Sequence, residues 1–308
     1  MATTLHILNG DSTLWSLDKA GIDGERLVWR DVLCEGPVLS DFASPDFWQK
    51  RTVFMSEFFG VEPQGFKTKC IDEFDKIKSI SRYDKLVLWF EYDLFCQVNM
   101  LGILHFLAKP EYQKMKISLI CVGSEKGNKK LVALGDIAPE NFKSLFEKRA
   151  KLNQEDLSFA STVYLAYCNN DPQQLIIKVK DHPKFPYLKG AIAAHFKRFV
   201  FKNSGLNEIE MAMLNFLGEG VSEAKDVIMK MLQWQKSTYY GFGDSQYFIY
   251  LKRLQPLYDN GFQLNDIGEK VIRGQSSADG LINRNYPLGG VHVSGFEYDE
   301  NKKVLEAV

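Results

Sequence analysis

The sequence predicts an α/β protein in which an N-terminal doubly wound, Rossmann-like and mostly parallel sheet precedes a mainly α-helical C-terminal half with a small β-hairpin. Two patterns predict this class. In the first 124 residues, short apolar runs alternate with segments of helical periodicity, as in parallel strands joined by crossover helices. Beyond that point the strand-like runs disappear, and apolar residues recur at helical spacing almost to the C-terminal end. With 45% hydrophobic and 25% charged residues, the 308-residue chain has an ordinary globular composition.

Four apolar runs in the first part of the chain are predicted strands. The third is continuously apolar between charged residues, which is typical of a strand buried on both faces of a parallel sheet. Helices are predicted after the first run, from the Ser44-Pro45 start, and from Leu94 to Pro110, because apolar residues there follow helical spacing. The four predicted strands are residues 5–9, 26–30, 85–90 and 116–122.

Helical periodicity dominates the second part of the chain. Residues 139–180 are predicted to be helical, apart from a break at an Asn-Asn-Asp turn. The tail predicts a hairpin, with Val291, Val293 and Phe296 in one strand and Val304-Leu305 in the returning strand. Further helices are predicted near residues 192, 207, 221 and 244.

These patterns divide the chain into three predicted units. Residues 1–124 form an α/β domain with a polar ligand site, residues 125–204 a helical connecting region, and residues 205–308 a helical domain with the hairpin. In the last unit, three helices and the segment after them resemble the end of a winged-helix domain entering its wing. Glycine and charge replace the apolar pattern at 123–130 and 202–205, so a protease is expected to cut first at one of these segments.

The overall charge excludes a generally basic protein that coats nucleic acid. The chain has 38 basic and 39 acidic residues and a net charge of -1, so nucleic-acid contact would require a local patch. Its five cysteines are widely spaced without a CxxC pair, which fits reduced thiols in a cytosol better than a disulfide framework. Because the sequence shows neither a signal peptide nor an apolar run of about 18 residues, a cytoplasmic location without membrane contact is predicted.

Acidic and other polar residues directly follow the predicted strands. In doubly wound sheets, ligands bind beyond the carboxyl ends of the strands, where the strand order reverses. Carboxylates gathered there repel one another, so a small polar ligand or a divalent metal such as Mg²⁺ or Mn²⁺ would fit such a site. The alternative is that Asp11 and Asp93 only cap helices. The predicted catalytic residues are Asp11, Asp31, Glu91 and Asp93, and the predicted ligand-binding residues are Gly10, Ser12, Glu35 and Gln97.

The Gly10-Asp11-Ser12 turn has two further interpretations. It resembles the nucleophile block of the GDSL-type (SGNH) esterases, which also carry a Gly-x-Asn-Asp block and a late Asp-x-x-His. Here a lysine follows Gly127-Asn128, and Asp181 and His182 are adjacent, so no base is placed to activate Ser12. As a phosphate loop, the turn has one glycine and lacks the P-loop lysine. Both interpretations are therefore disfavoured.

Three segments resemble an uncharacterised bacterial family, catalogued as domain of unknown function 1835. They read HILNGDS from His6, WRDVLCEGP from Trp29 and WFEYDLFCQ from Trp89, and each is a strand end with its polar turn. Residues 243–244 and 288–291 are also similar to longer members, so the resemblance spans most of the chain. The family offers no activity to transfer, but the resemblance implies that the three polar turns form one site.

Two of these turns contain a cysteine, and two histidines lie in predicted core positions. A metal site at Cys34 or Cys96 would need further ligands, and no histidine lies at ligand spacing beside either one. Buried packing is therefore the favoured role for both thiols. His6 within a strand and His105 on a helix stripe are likewise predicted to be core histidines.

A basic run in the second half suggests a different function. Residues 184–202 contain no acidic residue and interleave cations with aromatics, as a nucleic-acid-binding surface can. A solvated helix face is the commoner origin of such a run, and the helix near Asp244 that would read DNA carries only Lys252 and Arg253. The candidate nucleic-acid contacts are Lys189, Lys197, Arg198 and Lys202.

Two functional hypotheses follow. In the favoured one, the N-terminal domain is an enzyme or ligand-binding module that acts on a small polar, phosphorylated or metal-bound substrate at the acidic edge of the sheet. In the alternative, the protein is a regulator whose C-terminal half contacts nucleic acid while the N-terminal half senses a ligand.

Overall fold

A computed structural model of the chain describes residues 3–79, 82–123 and 131–308. The strands lie mostly in the first half and at the C-terminal end. In chain order they are β1 (Thr4–Asn9), β2 (Glu25–Trp29), β3 (Gly36–Pro37), β4 (Lys85–Glu91), β5 (Lys116–Val122), β6 (Ala150–Leu152), β7 (Val200–Phe201), β8 (Pro287–Gly289), β9 (Val291–His292), β10 (Phe296–Asp299) and β11 (Val304–Ala307).

The main sheet has the strand order β2-β1-β4-β5-β6. β1 pairs in parallel with both β2 and β4, and β4 pairs in parallel with β5. The strand order reverses between β1 and β4, because the chain adds β2 on one side of β1 and then β4 and β5 on the other. These four parallel strands coincide with the four predicted apolar runs, so the mixed α/β class with a mostly parallel N-terminal sheet is confirmed.

Strand β6 contradicts the prediction that residues 139–180 are helical. It pairs antiparallel with β5 at the edge of the main sheet, with Ile117 opposite Leu152. Three residues are too few to show the alternation of apolar and polar side chains by which a strand is recognised. The two-residue strand β7 falls in a predicted helix for the same reason.

Helices make up most of the remaining described structure, and their ends follow ordinary capping chemistry. Ser44 accepts a hydrogen bond from the backbone N–H of Phe47, and Asn207 and Glu210 form a capping box at the start of the helix predicted near residue 207. Within the described residues, no helix combines the length and apolarity that a membrane span requires. The helices are α1 (Asp11–Lys19), α2 (Pro45–Phe59), α3 (Pro63–Phe66), α4 (Asp72–Lys78), α5 (Leu94–Leu107), α6 (Phe142–Glu147), α7 (Gln154–Tyr167), α8 (Pro172–Lys178), α9 (Leu188–Phe196), α10 (Glu208–Gly218), α11 (Ala224–Trp234), α12 (Asp244–Arg253) and α13 (Asp266–Ile272).

The two faces of the main sheet pack against different helices. On one face, Leu86, Leu88 and Phe90 of β4 join a large buried cluster with α5, which in turn packs against α7 and α9. On the other face, Val87 and Trp89 join a smaller cluster with residues of α1 and α6. Because strand side chains alternate between faces, β4 contributes to both clusters, as its continuous apolar run predicts.

The C-terminal half is hydrogen-bonded to the N-terminal part. β3 pairs in parallel with β8, which pairs antiparallel with β9, while β10 lies between β7 and β11 in a third sheet. The large buried cluster includes side chains from Leu5 to Leu305. The predicted single strand through residues 291–296 is wrong, because a 3-10 turn at Val293–Gly295 separates β9 from β10.

The three predicted units stay predictions. The boundary at 124/125 and most of the first expected protease site fall on residues 124–130, outside the described residues. Near the second boundary, Phe201 and Leu206 share a backbone hydrogen bond of 2.9 Å, so this turn is tied to its neighbours. Proteolysis remains the direct test of where the chain opens first.

Candidate functional site

The first predicted site residues, at the end of β1, lie on the surface. Gly10 precedes α1 with φ +91°, a backbone conformation that favours glycine, and gives α1 no side-chain cap. Asp11 is exposed and pairs with Arg30, whose guanidinium donates to both carboxylate oxygens at 2.6 and 3.0 Å. This hydrogen bonding from Arg30 lowers the pKa of Asp11. Ser12 is also exposed. The cap interpretation of Asp11 therefore has no bond to support it.

Asp31 is bound on both carboxylate oxygens by a buried arginine. Arg51 donates to the two oxygens at 2.9 and 2.6 Å, and neither side chain has exposed surface. The same guanidinium donates to the carbonyl oxygens of Val32, Glu35 and Pro37. Arg51 thus holds the whole turn after β2 together, and the geometry gives Asp31 a structural role.

Glu35 forms a second buried ion pair, with a residue of the C-terminal half. Its carboxylate lies 2.6 Å from an Arg198 nitrogen and accepts a hydrogen bond from Gln246 Nε2 at 3.0 Å. Arg198 also donates to the carbonyl of Cys34 at 2.5 Å and to the hydroxyl of Tyr250 at 3.1 Å. These contacts fix the turn after β2 to α12 and to the segment after α9.

The basic run that suggested nucleic-acid binding is largely neutralised in the structure. Arg198 is fully buried, so it cannot reach a phosphate from the surface. The three lysines each pair with a carboxylate at 2.6 to 3.5 Å. These pairs are Lys189 with Asp181, Lys197 with Glu208, and Lys202 with Glu306.

The carboxyl end of β4 brings together two acids and a thiol, which we call the carboxyl cluster: Glu91, Asp93 and Cys96. One oxygen or sulfur atom of each lies within 4.8 Å of those of the other two. Asp93 caps α5 by accepting the backbone N–H of Cys96 at 2.8 Å, as the cap alternative predicted. Glu91 accepts the backbone N–H of Leu134 at 3.0 Å. Asp93 therefore both caps a helix and belongs to the cluster.

A segment from the C-terminal half covers the carboxyl cluster. The carbonyl oxygens of Tyr239 and Tyr240 accept the N–H groups of Leu94 and Phe95, at 2.5 and 3.2 Å. Gly241 follows with φ +67°, and a Cβ there would lie 2.1 Å from Cγ of Asp93. Only glycine meets both conditions, so this residue allows the covering segment to lie directly on the Asp93 carboxyl group.

Burial changes the acidity of all three groups. Desolvation, with the adjacent Asp93 charge second, raises the pKa of Glu91 well above its usual value near 4.5. Desolvation also raises the pKa of Asp93, although the Cys96 N–H bond opposes this. Because two adjacent carboxylates repel each other, the Asp93 charge favours the protonated form of Glu91. Desolvation keeps the Cys96 thiol protonated by raising its pKa.

Amide side chains surround the cluster on both sides. Asn9, at the end of β1, donates to Cys96 Sγ at 2.9 Å and accepts from Asn99 at 2.8 Å. Gln97 Nε2 donates to the Glu91 carbonyl at 2.6 Å and to Cys121 Sγ at 3.3 Å. Its Oε1 atom is buried without a hydrogen-bond partner among the described residues. A buried amide oxygen without a donor is an unsatisfied hydrogen-bond acceptor, which is uncommon in folded proteins.

A groove of about 700 Å³ opens beside the cluster at the end of β5. Asp136, in its wall, contributes to the raised pKa of Glu91, so its carboxylate lies within electrostatic reach of the cluster. The volume is in the range of small-molecule pockets. The described lining is formed by Cys121, Val122, Gly123, Val132, Asp136, Ile137, Ala138, Asn141, Ser144, Leu145 and Tyr187.

The carboxyl cluster offers one thiol and two carboxylates as potential metal ligands. Thiolate and carboxylate ligands together suit Zn²⁺, whereas Mg²⁺ and Mn²⁺ prefer oxygen ligands alone. The raised pKa of Cys96 requires the ion to displace the thiol proton. The donor set therefore fits zinc better than the magnesium or manganese that the carboxylates alone predicted.

The predicted site residues therefore do not form one site in the structure. Glu91, Asp93 and Gln97 come together, whereas the other five engage separate partners or lie on the surface. Cys96, which the sequence assigned to packing, lies beside the three, as do Cys121 and Asn9. The reversal of strand order between β1 and β4 could have identified Asn9, which ends β1 there.

Comparison with known proteins adds nothing to this geometry: no protein-family model and no curated protein sequence matches the chain. The function must follow from the chain's own residues.

Proposed function

We propose that the chain is an enzyme or ligand-binding module that acts on a small polar molecule at the carboxyl edge of the main sheet. The observation that carries this proposal is a pair of adjacent carboxyl groups, half-buried Glu91 and buried Asp93, beside a groove of small-molecule size. The parallel order β2-β1-β4-β5, with a reversal between β1 and β4, supports a Rossmann-like sheet with its ligand at the reversal.

The free-energy cost of placing two carboxyl groups side by side, away from water, supports a functional role for Glu91 and Asp93. Two acids that lose water and repel each other destabilise the fold unless a proton, a metal ion or a ligand compensates. Nothing about the local packing requires Glu91 to be acidic, since a glutamine could accept the same Leu134 N–H bond. Asp93 alone would suffice to cap α5. Glu91 is therefore the residue whose acidity the structural contacts leave unexplained.

The pair would act as an acid and base. Glu91 is half-buried and keeps its proton at pH values where an ordinary carboxyl has lost it, so it can donate a proton to a bound substrate. Asp93 would stabilise the proton and the position of Glu91. Gln97 Oε1 would accept a hydrogen bond from the ligand. If zinc occupies the cluster, Glu91, Asp93 and Cys96 would hold it, and the ion would supply Lewis-acid chemistry.

Ligand-dependent thermal stabilisation tests the proposal. We expect a sugar monophosphate or Zn²⁺ to raise the melting temperature of the wild type, and Glu91→Gln to abolish that rise while the variant stays folded. Glu57→Gln removes an exposed acid from α2 and should leave the rise intact. Equal stabilisation of wild type and Glu91→Gln would place the ligand elsewhere. Steeply salt-dependent DNA binding without small-molecule stabilisation would favour the regulator instead.

A further inference from the structure

A second groove lies on the main sheet at the opposite end of the strands from the carboxyl cluster. It has a volume of about 540 Å³, and its described lining contains four cations and no acid. We call it the basic groove and define it by Lys85, Lys116, Arg149 and Lys151.

Strand register places these cations on one face. Lys85 of β4 is paired with Lys116 of β5, and Ser118, two residues further along β5, is paired with Lys151 of β6. Residues two apart on a strand point to the same side, so all three lysines share the face on which Val87 and Trp89 lie. Neighbouring strands are about 4.8 Å apart, so the lysine stems start close together.

A short helix packs on the same face of the sheet as the basic groove. α6 covers Trp89, with Phe142 stacked on the indole ring at 5.5 Å. Its six residues extend about 9 Å, whereas the seven residues of β4 extend about 23 Å. The first residues of β4 and β5 line the basic groove on this face.

Among the described residues, no carboxylate neutralises the four cations. None of them forms an ion pair with a carboxylate in the described part of the chain, and Arg149 donates only to the carbonyl of Phe146. Lys184, whose ammonium group donates to the Lys151 carbonyl, shows the contrast because Asp156 neutralises it. Like charges held together raise the free energy of the fold unless an anion binds.

We propose that the basic groove binds a small molecule carrying two or more phosphate groups. Several ammonium groups and one guanidinium around a confined volume match clustered phosphate charges. The Val87 side chain and the Ser118 hydroxyl form a floor that can contact the rest of the ligand. The described lining contains no aromatic side chain on which nucleic-acid bases could stack, which argues against a single-stranded polymer.

Calorimetric titration of the full chain with inorganic tripolyphosphate tests this proposal. We expect tripolyphosphate to bind more tightly than orthophosphate, and Lys116→Gln and Lys151→Gln each to weaken it by up to about 10-fold. Lys270→Gln, which removes an exposed lysine of α13, should bind as the wild type does. Glu91→Gln should also leave this affinity unchanged, which separates the basic groove from the carboxyl cluster.

Three outcomes would overturn the proposal. The first is no tripolyphosphate binding above that of orthophosphate. The second is equal affinity of the wild type and the Lys116→Gln, Lys151→Gln double variant, which would place the anion elsewhere. The third is binding only of single-stranded RNA, with affinity rising with strand length, which would assign the groove to a polymer. Melting curves of each variant verify that the fold is retained.

Discussion

Replacement of Glu35 by glutamine should destabilise the protein far more than the loss of an ordinary surface acid. Glu35 compensates the charge of Arg198, which has no exposed surface, across a distance of 2.6 Å. Glutamine keeps the shape and one acceptor oxygen but removes the negative charge. Arg198 would retain its bonds to the Cys34 carbonyl and the Tyr250 hydroxyl, both neutral acceptors. An uncompensated cation would therefore remain buried.

The size of the effect follows from this burial. Breaking a buried ion pair by removing one partner costs about 3–5 kcal/mol, because the remaining charge stays away from water. Since Arg198 keeps two hydrogen bonds and lies 5.0 Å from the centre of the Phe242 ring, we expect the lower end, about 3 kcal/mol. With an unfolding entropy of about 2.1 cal/mol/K per residue, that corresponds to roughly 5 °C in melting temperature for 308 residues.

Urea denaturation measures this difference, with two further variants for comparison. Asp181→Asn breaks an exposed pair with Lys189 and should cost about 1 kcal/mol or less. A Glu35→Leu, Arg198→Met double variant removes both charges and should be more stable than Glu35→Gln alone. A Glu35→Gln loss no larger than that of Asp181→Asn would refute the reasoning. Unchanged stability with lost ligand binding would return Glu35 to the ligand-binding role that the sequence predicted.

Three shorter predictions concern the turns of the site. Gly241→Ala should lower the free energy of unfolding by about 2 kcal/mol or more, because the added Cβ would clash with Asp93. Gly220→Ala, at φ +87° with open space around it, should lower it only by the backbone strain of about 1–2 kcal/mol. Urea denaturation compares the two variants. Asp93→Asn should keep or raise the melting temperature, since asparagine caps nearly as well, whereas Asp93→Ala should lose about 1 kcal/mol for the missing cap. Ser12 should not react with a fluorophosphonate probe, and labelling that Ser12→Ala abolishes would contradict this.

The sequence predicted the strands that are long enough to show a recognisable run of apolar residues. β4 and β5 are seven-residue apolar runs, so their burial on both faces was visible in the sequence. Strands β3, β6 and β8 have two or three residues, and their pairing depends on contacts with distant segments. No local pattern encodes such contacts. The sequence therefore predicted four of the five strands of the main sheet and missed the short strands β3, β6 and β8.

The site was predictable only where the strand end itself fixes a side chain. Glu91 and Asp93 follow β4 directly, so their position at the edge of the sheet follows from the strand. Asp31 and Glu35 also follow a strand, but each meets an arginine from a distant segment. Arg51 lies four residues after Phe47, on the buried face of α2, and an arginine on an apolar face is a signal for a buried acid. Arg198, among exposed lysines, gave no such signal.

Glu91→Gln provides the last prediction, because the carboxyl pair makes stability depend on pH. The raised pKa of Glu91 means that the folded protein keeps a proton that the unfolded chain has released above about pH 4.5. Wild-type stability should therefore fall as pH rises above this value, until Glu91 ionises in the folded state as well. The slope for one proton is at most about 1.4 kcal/mol per pH unit.

Glutamine cannot ionise, so Glu91→Gln should gain stability relative to the wild type as pH rises from about 5 to 8. The buried histidines His6 and His195 have pKa values lowered by desolvation, so their protonation in the unfolded chain reduces stability below about pH 6.5. Both proteins contain these histidines. The histidine contribution therefore drops out when the stability of the wild type is subtracted from that of Glu91→Gln at each pH. A difference that stays constant across this pH range would show that Glu91 is ionised throughout. The acid–base role proposed for the carboxyl pair would then fail, because Glu91 would have no proton to donate near neutral pH.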